Sequence, residues 1–255
     1  MSIVDNILMK TLLSLFDYTG QWAEPFYNNG WDVIQWDIKL DELMDVHLLD
    51  SAETCLNQFE DVNGILCAIP CTEFAVSGSR WWKAKDLRGD TEKAIAVACQ
   101  ALKICDLFTP TDPDYDDTFF YAIENPVGRL ARLTGLGDAY YFNPCEFAGY
   151  LNPSLAQLAE MDRIRAKDGS GITREEFEFI LSTNTYTKKT GLWGGFNRAL
   201  VQKPIQPIKG APTGSPMQRM GGKSAKTKEV RSVTPAGFAQ AFFEANHNYC
   251  YNPAA

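Results

Sequence analysis

The chain has 255 residues, 45% of them hydrophobic and 22% charged, a composition ordinary for a globular protein and long enough for one domain with an appendage or two small domains. No apolar run reaches the roughly 18 residues of a membrane span, so no membrane is expected. Seven cysteines, an odd number scattered through a long chain, argue for a reducing, cytoplasmic compartment and against a disulfide framework.

The net charge of −8 is unevenly spread: Thr185 to Pro235 carries ten Lys or Arg against one acid, Glu229. Such asymmetry is the footprint of a polyanion-binding face, or of a solvated loop that is basic by chance.

In chain order, "MSIVDNILMKTLLSLFDYTG" interrupts its apolar stretch with Asp5 and Lys10 and lacks a small-residue cleavage site. It reads as a first buried strand, Leu12–Phe16, and not as a signal peptide. Gly20 then supplies a tight turn. A second strand, Val33–Trp36, ends at Asp37, placed to take two ribose hydroxyls beside Trp36, which can pack on an adenine face. A third, Val46–Leu49, ends at Asp50, a candidate partner for an exocyclic amine.

A fourth strand, Ile65–Ala68, stops at Pro70-Cys71. "TEKAIAVACQALKICDLF" follows with apolar residues at helical spacing, the crossover that a parallel sheet requires. A fifth strand, Phe119–Ile123, precedes Glu124 in "ENPVGRL". Alternation of strands and helices predicts an α/β domain with a mainly parallel sheet.

Beyond Glu124 the texture becomes helical, in "PSLAQLAEMDRIRAKDG" and "TREEFEFIL", where Thr173 and Glu176 form a capping box. From about Gln202 to Lys228 a long loop or a small irregular subdomain is expected. "TPAGFAQAFFEANH" closes the chain as a helix capped by Thr234, with Pro235 in its first turn.

Three motif matches fail. "GSPMQRMGGKS" has Met217 where a phosphate-binding loop needs its first glycine, "AKDGSGITREEF" puts Ile164 and Ala166 where calcium ligands belong, and Cys67-x3-Cys71 has no second pair to complete a metal site. No metal is expected.

Cys71 is the candidate nucleophile. Neither His47 nor His247 is an obvious local base, so a helix N-terminus or loop amides, with Arg80 nearby in sequence, would have to favour its thiolate. Cys55, Cys67, Cys99 and Cys105 read as inert core residues.

"LFDYTG" with Asp37, "IPCTEFAVSG" and "ENP", in this order and spacing, resemble the DNA cytosine-5 methyltransferases, most closely their small phage-type members. The likeness covers residues 11 to 130. It implies a Rossmann-like class I fold that binds S-adenosylmethionine, with a methyltransferase core over 1–184, a basic DNA-binding region over 185–233 and a helix over 234–255 packing back on the core. Phe16, Tyr18, Gly20, Trp36, Asp37 and Asp50 would bind the cofactor. Cys71 would add to C6 of cytosine and Glu124 would hydrogen-bond N3, with Pro70 and Asn125 completing the catalytic set, on a flipped base of duplex DNA or on a single strand.

The sequence departs from the family at Tyr18, in place of the first glycine of F-x-G-x-G, and at Ile69, Thr72 and Ala75 around the cysteine. It has no Q-x-R-x-R segment; Lys188 and Lys189 are assigned that role, with Arg198, Arg219, Lys223, Lys226, Lys228 and Arg231 as further DNA-binding residues. Positive charge of this kind binds phosphates without reading bases, so little sequence specificity is expected. The same Cys/Glu chemistry on another pyrimidine substrate or with a relative of the cofactor, or a non-catalytic DNA-binding protein of the same fold, stays open.

Overall fold

Hydrophobic residues on both faces of short β-branched or leucine-rich runs require a sheet covered on each side. The computed structural model describes residues 9–37, 39–40, 62–112, 118–167, 171–210, 215–219 and 224–251. Strand β1 (Thr11–Leu15) leads through α1 (Glu24–Asn28) to β2 (Asp32–Trp36), and β3 is Gly64–Ala68. The expected strand Val46–Leu49, Asp50 and Lys223 lie outside the described residues.

A 3-10 turn (Val76–Trp81) runs into α2 (Trp82–Leu87) and the long α3 (Asp90–Phe108), the expected crossover, which returns the chain to β4 (Phe120–Pro126). Then come α4 (Leu130–Thr134), β5 (Tyr140–Phe142), α5 (Leu155–Arg165), α6 (Arg174–Ser182), β6 (Thr190–Trp193), α7 (Pro216–Arg219), α8 (Ala225–Ser232) and α9 (Ala236–Asn246).

The result is an α/β architecture around a six-stranded, mostly parallel mixed sheet in the order β2-β1-β3-β4-β6-β5. The first four strands are parallel, β6 is antiparallel to β4, and β5 is antiparallel to β6.

Side-chain alternation sorts the two cores. Leu12, Leu66, Phe120, Ala122 and Leu192 face the aromatic side, with Trp22, Phe26, Phe238 and Phe242. Leu13, Leu15, Ile65, Cys67 and Ile123 face Ala98, Ala101, Ile104 and Cys105 of α3. A third cluster, Met161, Ile164, Ile180, Tyr186, Ile208 and Met217, binds α5, α6 and the segment after β6 together.

The structure differs from expectation at several points, among them the additional strands β5 and β6 and the helices α7 and α8, of which α7 lies within and α8 begins within the irregular stretch expected from Gln202 to Lys228. β4 runs on to Pro126, so Glu124 and Asn125 lie within the strand and not after it. Its extra residues pair with Thr190–Leu192 of β6, which makes part of the basic 185–233 segment integral to the sheet, directly after Lys188 and Lys189. Thr234 does not cap α9: its N-cap is Pro235, and the Gly237 amide donates instead to Asn184 Oδ1 at 2.9 Å. The capping box of Thr173 and Glu176 forms as expected.

Candidate functional site

From β1 the chain first goes to β2 on one side and then, after α1 and β2, to β3 on the other. The strand order therefore reverses between β1 and β3. At such a switch point the connections leave in opposite directions and open a crevice at the carboxyl ends of the strands. The exits of β1 and β3 hold Phe16–Gly20 and Ile69–Cys71.

The β1 exit is a strained, hydrogen-bonded turn. Phe16 has φ 60°, a value that L residues rarely adopt, and its amide donates to the Trp36 carbonyl at 2.6 Å. Gly20 has φ 66°, and a Cβ there would stand 2.8 Å from Gln35 Nε2, whose own hydrogen goes to the Asp17 carbonyl. The buried Asp17 carboxylate accepts from Ser14 and Thr19 hydroxyls at 3.1 and 3.2 Å; burial pushes its pKa up, against these bonds. Tyr18 is exposed with Lys39 Nζ 4.6 Å over its ring. At the β2 exit, Asp37 Oδ1 accepts the Lys39 amide at 2.9 Å, while Trp36 is 8% exposed and packed in the α3-side core, leaving little of its ring for a ligand.

At the β3 exit the backbone folds tightly under the candidate nucleophile: the Cys71 carbonyl accepts the Phe74 and Ala75 amides at 3.0 and 2.9 Å. Pro70 is exposed and Cys71 half-buried. Glu124 stands on the next strand, in register with Ala68. Asn125 is fully buried, and its Nδ2 donates to the Ile69 carbonyl at 2.8 Å.

The loop carrying Cys71 is also bolted to the segment after β4. Ala75 bridges Gly128, the Val76 amide donates to the Val127 carbonyl at 2.9 Å, and the Arg129 amide to that of Phe74 at 3.0 Å. The buried Arg129 guanidinium donates to the Glu73 carbonyl, to both Asp86 oxygens and to Thr91, and lies 4.7 Å from the Trp82 ring centre. Gly128 is required here, since a Cβ would run into the Phe74 carbonyl. Sequence reasoning passed over this brace, although "ENPVGRL" contains both the glycine and the arginine.

Burial pushes the Cys71 thiol up; Lys188 and Arg231 pull it down, and Glu124 pushes it further up. Burial likewise raises the Glu124 carboxyl, against Lys188, with Asp17 adding to the rise. Buried Tyr186 is raised by burial and by Glu124. Asp17, Cys71, Glu124, Lys188 and Arg231 thus share one electrostatic neighbourhood. No family model and no curated protein matches this chain.

Lys188 and Arg231 are held to the site by contacts of their own. Lys188 Nζ donates to the Arg231 carbonyl at 2.9 Å, and Arg231 Nη2 to Ser77 Oγ of the Cys71 loop at 3.3 Å. Lys189 joins the same edge, its carbonyl accepting the Val127 amide and its ammonium lying over Tyr141. Arg198 is not brought there. It follows Gly194, which abuts Tyr121 near the start of β4, and it donates to the Asp138 carbonyl, at the opposite end of the strands from Cys71. Arg219 lies on α7 and Lys226 and Lys228 on α8.

The other cysteines have different surroundings. Cys67 and Cys105 are buried with thiols raised by burial, Cys105 to about 12, which fits inert core residues. Among the described residues no group of three His, Cys, Asp or Glu could hold a metal ion.

Proposed function

We propose that this chain transfers a methyl group from S-adenosylmethionine to C5 of cytosine in DNA, through a covalent bond between Cys71 and C6. The observation that carries the reading is the meeting of the β1 exit turn with Cys71 and Glu124 across one switch point, because a group-transfer enzyme must hold donor and acceptor side by side.

The residues present fit the cofactor: a tight turn at the β1 exit built on Gly20, whose φ of 66° favours glycine, and Asp37 at the β2 exit with its carboxylate oriented by the Lys39 amide. Bound there, S-adenosylmethionine would supply an electrophilic methyl group.

The chain's own residues would do the rest. The Cys71 thiolate adds to C6 and drives electron density into the ring. Glu124, whose carboxyl burial holds towards its protonated form, donates a hydrogen bond to N3 and takes up the developing charge. C5 becomes nucleophilic; after it is alkylated, loss of its proton expels Cys71 and restores the aromatic ring. Lys188 and Arg231 stabilise the thiolate electrostatically.

Incubation of cytosine-containing DNA with isotopically labelled S-adenosylmethionine, followed by nucleoside mass spectrometry, tests cofactor, base and transferred group together. Labelled 5-methylcytosine is expected, together with a denaturant-stable adduct on 5-fluorocytosine DNA that Cys71→Ala abolishes. Folded protein that yields neither would overturn the reading.

A further inference from the structure

Four aromatic side chains stand exposed among the described residues: Tyr18, Tyr27, Trp81 and Tyr141. Tyr27 lies on α1, before β2 begins, at the amino end of the strands. The other three each carry a cation over the ring, Lys39 on Tyr18 at 4.6 Å, Arg80 on Trp81 at 5.2 Å and Lys189 on Tyr141 at 4.8 Å. Tyr18 follows the carboxyl end of β1, Trp81 ends the turn after the Cys71 loop, and Tyr141 is the middle residue of β5.

Tyr18 belongs to the β1 exit. Trp81 and Tyr141 have no part in the proposed catalytic set and belong to two elements that border it. Trp81 ends the turn that follows the Cys71 loop, and Ser77 in that turn accepts from Arg231. Tyr141 is on β5, in register with Gly191 and beside Lys189. Along the sheet edge the order is β3, β4, β6, β5, three strand steps or about 14 Å, with Cys71 and Glu124 at the first two positions.

Hydrophobic rings left half in water cost free energy, and rings capped by cations and left open on a rim are the platform on which bases of a single strand stack. In the segment Val76–Arg88, Arg80 and Lys83 add charge of the fitting sign, while Lys85 is paired with Glu73 and Arg88 with Asp90, on a chain whose net charge is −8. A duplex buries its base faces in its own stack and offers such rings nothing to stack on, while its second phosphate strand would face an otherwise acidic protein.

Resting on the methyltransferase reading, we infer that the substrate is single-stranded DNA, laid across this edge with one base stacked on Trp81, one on Tyr141, and the target between them.

Fluorescence anisotropy with a labelled 12-nucleotide single strand, the same sequence as duplex, and the same sequence as RNA tests this without cofactor. The single-stranded DNA is expected to bind at least tenfold more tightly than the duplex, with a log–log salt slope of about −3 from Arg80, Lys83, Lys189 and Arg231. Trp81→Ala and Tyr141→Ala, on separate elements, should each weaken it by about 5- to 150-fold, and Trp81→Phe and Tyr141→Phe should retain most of it. Equal or tighter duplex binding, tighter RNA binding, or alanine variants with unchanged affinity would overturn the inference. Because no methyl transfer is read, a failed reaction leaves this result standing, and failure here leaves methylation of duplex DNA to be decided separately.

Discussion

The side-chain amide of Asn125, next to Glu124, donates to the carbonyl of Ile69, two residues before Cys71, at 2.8 Å. A single residue therefore couples the two strands that carry the proposed chemistry. Its Oδ1, also buried, has no hydrogen-bond partner. Asn125→Leu removes the bond and leaves the Ile69 carbonyl unsatisfied, at a cost of about 1–3 kcal/mol. Chemical denaturation should show that loss, and kcat should fall more than KM rises, because the distance between Cys71 and the base is what loosens.

Arg129 and Gly128 predict a second effect at the same loop. Arg129→Lys keeps the charge but cannot reach Glu73, Asp86 and Thr91 together, since lysine has no planar fork. The Asp86 side chain is half exposed, so the expected destabilisation is only about 1–2 kcal/mol. The functional loss should be larger: protease cleavage within 72–81 should speed up and the 5-fluorocytosine adduct should form more slowly. Gly128→Ala should act in the same direction by pushing Phe74 away.

Glu176 makes a prediction about acid stability. Its buried carboxylate is bonded to Lys167, Thr173 and Arg163, which hold its pKa down from 4.5 to about 2. A depressed folded-state pKa contributes stability that is full above the unfolded value and is lost as pH falls towards the folded one. Wild-type protein and Glu176→Gln should accordingly differ in unfolding free energy near pH 7 by about 1–3 kcal/mol, and the difference should shrink between pH 4.5 and about 2. A gap that stays constant over that window would show that Glu176 acts by shape and not by charge.

Much of this was legible in the sequence. The strands around Leu12–Phe16, Val33–Trp36, Ile65–Ala68 and Phe119–Ile123 are short apolar runs bounded by turn residues, and the sheet contains them within a residue or so at each start. The helix over 91–108 and the box at Thr173 depend on local spacing alone, which a single sequence carries. What escaped depends on partners distant in the chain. β6 is four residues long and acquires strand character by pairing with β4 and β5, and the cap on α9 comes from Asn184, more than fifty residues earlier. The same holds for the site: Cys71 and Glu124 stand out as residue types, but the Arg129 brace becomes visible only when 72–81 folds onto 127–129. Arg198 shows the converse error, a charge grouped with its sequence neighbours that the antiparallel turn after β6 carries to the other end of the strands.

Lys188 ties the last prediction to the chemistry. It lowers both the Cys71 thiol and the Glu124 carboxyl, each of which burial raises. With burial dominant, Cys71 rests mainly as a thiol at neutral pH, and its alkylation by iodoacetamide should rise about tenfold per pH unit and keep rising past about pH 8.5, where an ordinary thiol levels off. Lys188→Met removes a cation, so the thiol shifts further up: at any pH below the plateau the variant should alkylate more slowly, and its profile should lie to the alkaline side. Lys188→Arg keeps the charge and should restore much of the rate, although its contact with the Arg231 carbonyl changes. Mass spectrometry of the Cys71 peptide against pH reads all three proteins. A Lys188→Met profile displaced towards acid would mean that Lys188 works through the geometry of the α8 contact and not through its charge on the nucleophile.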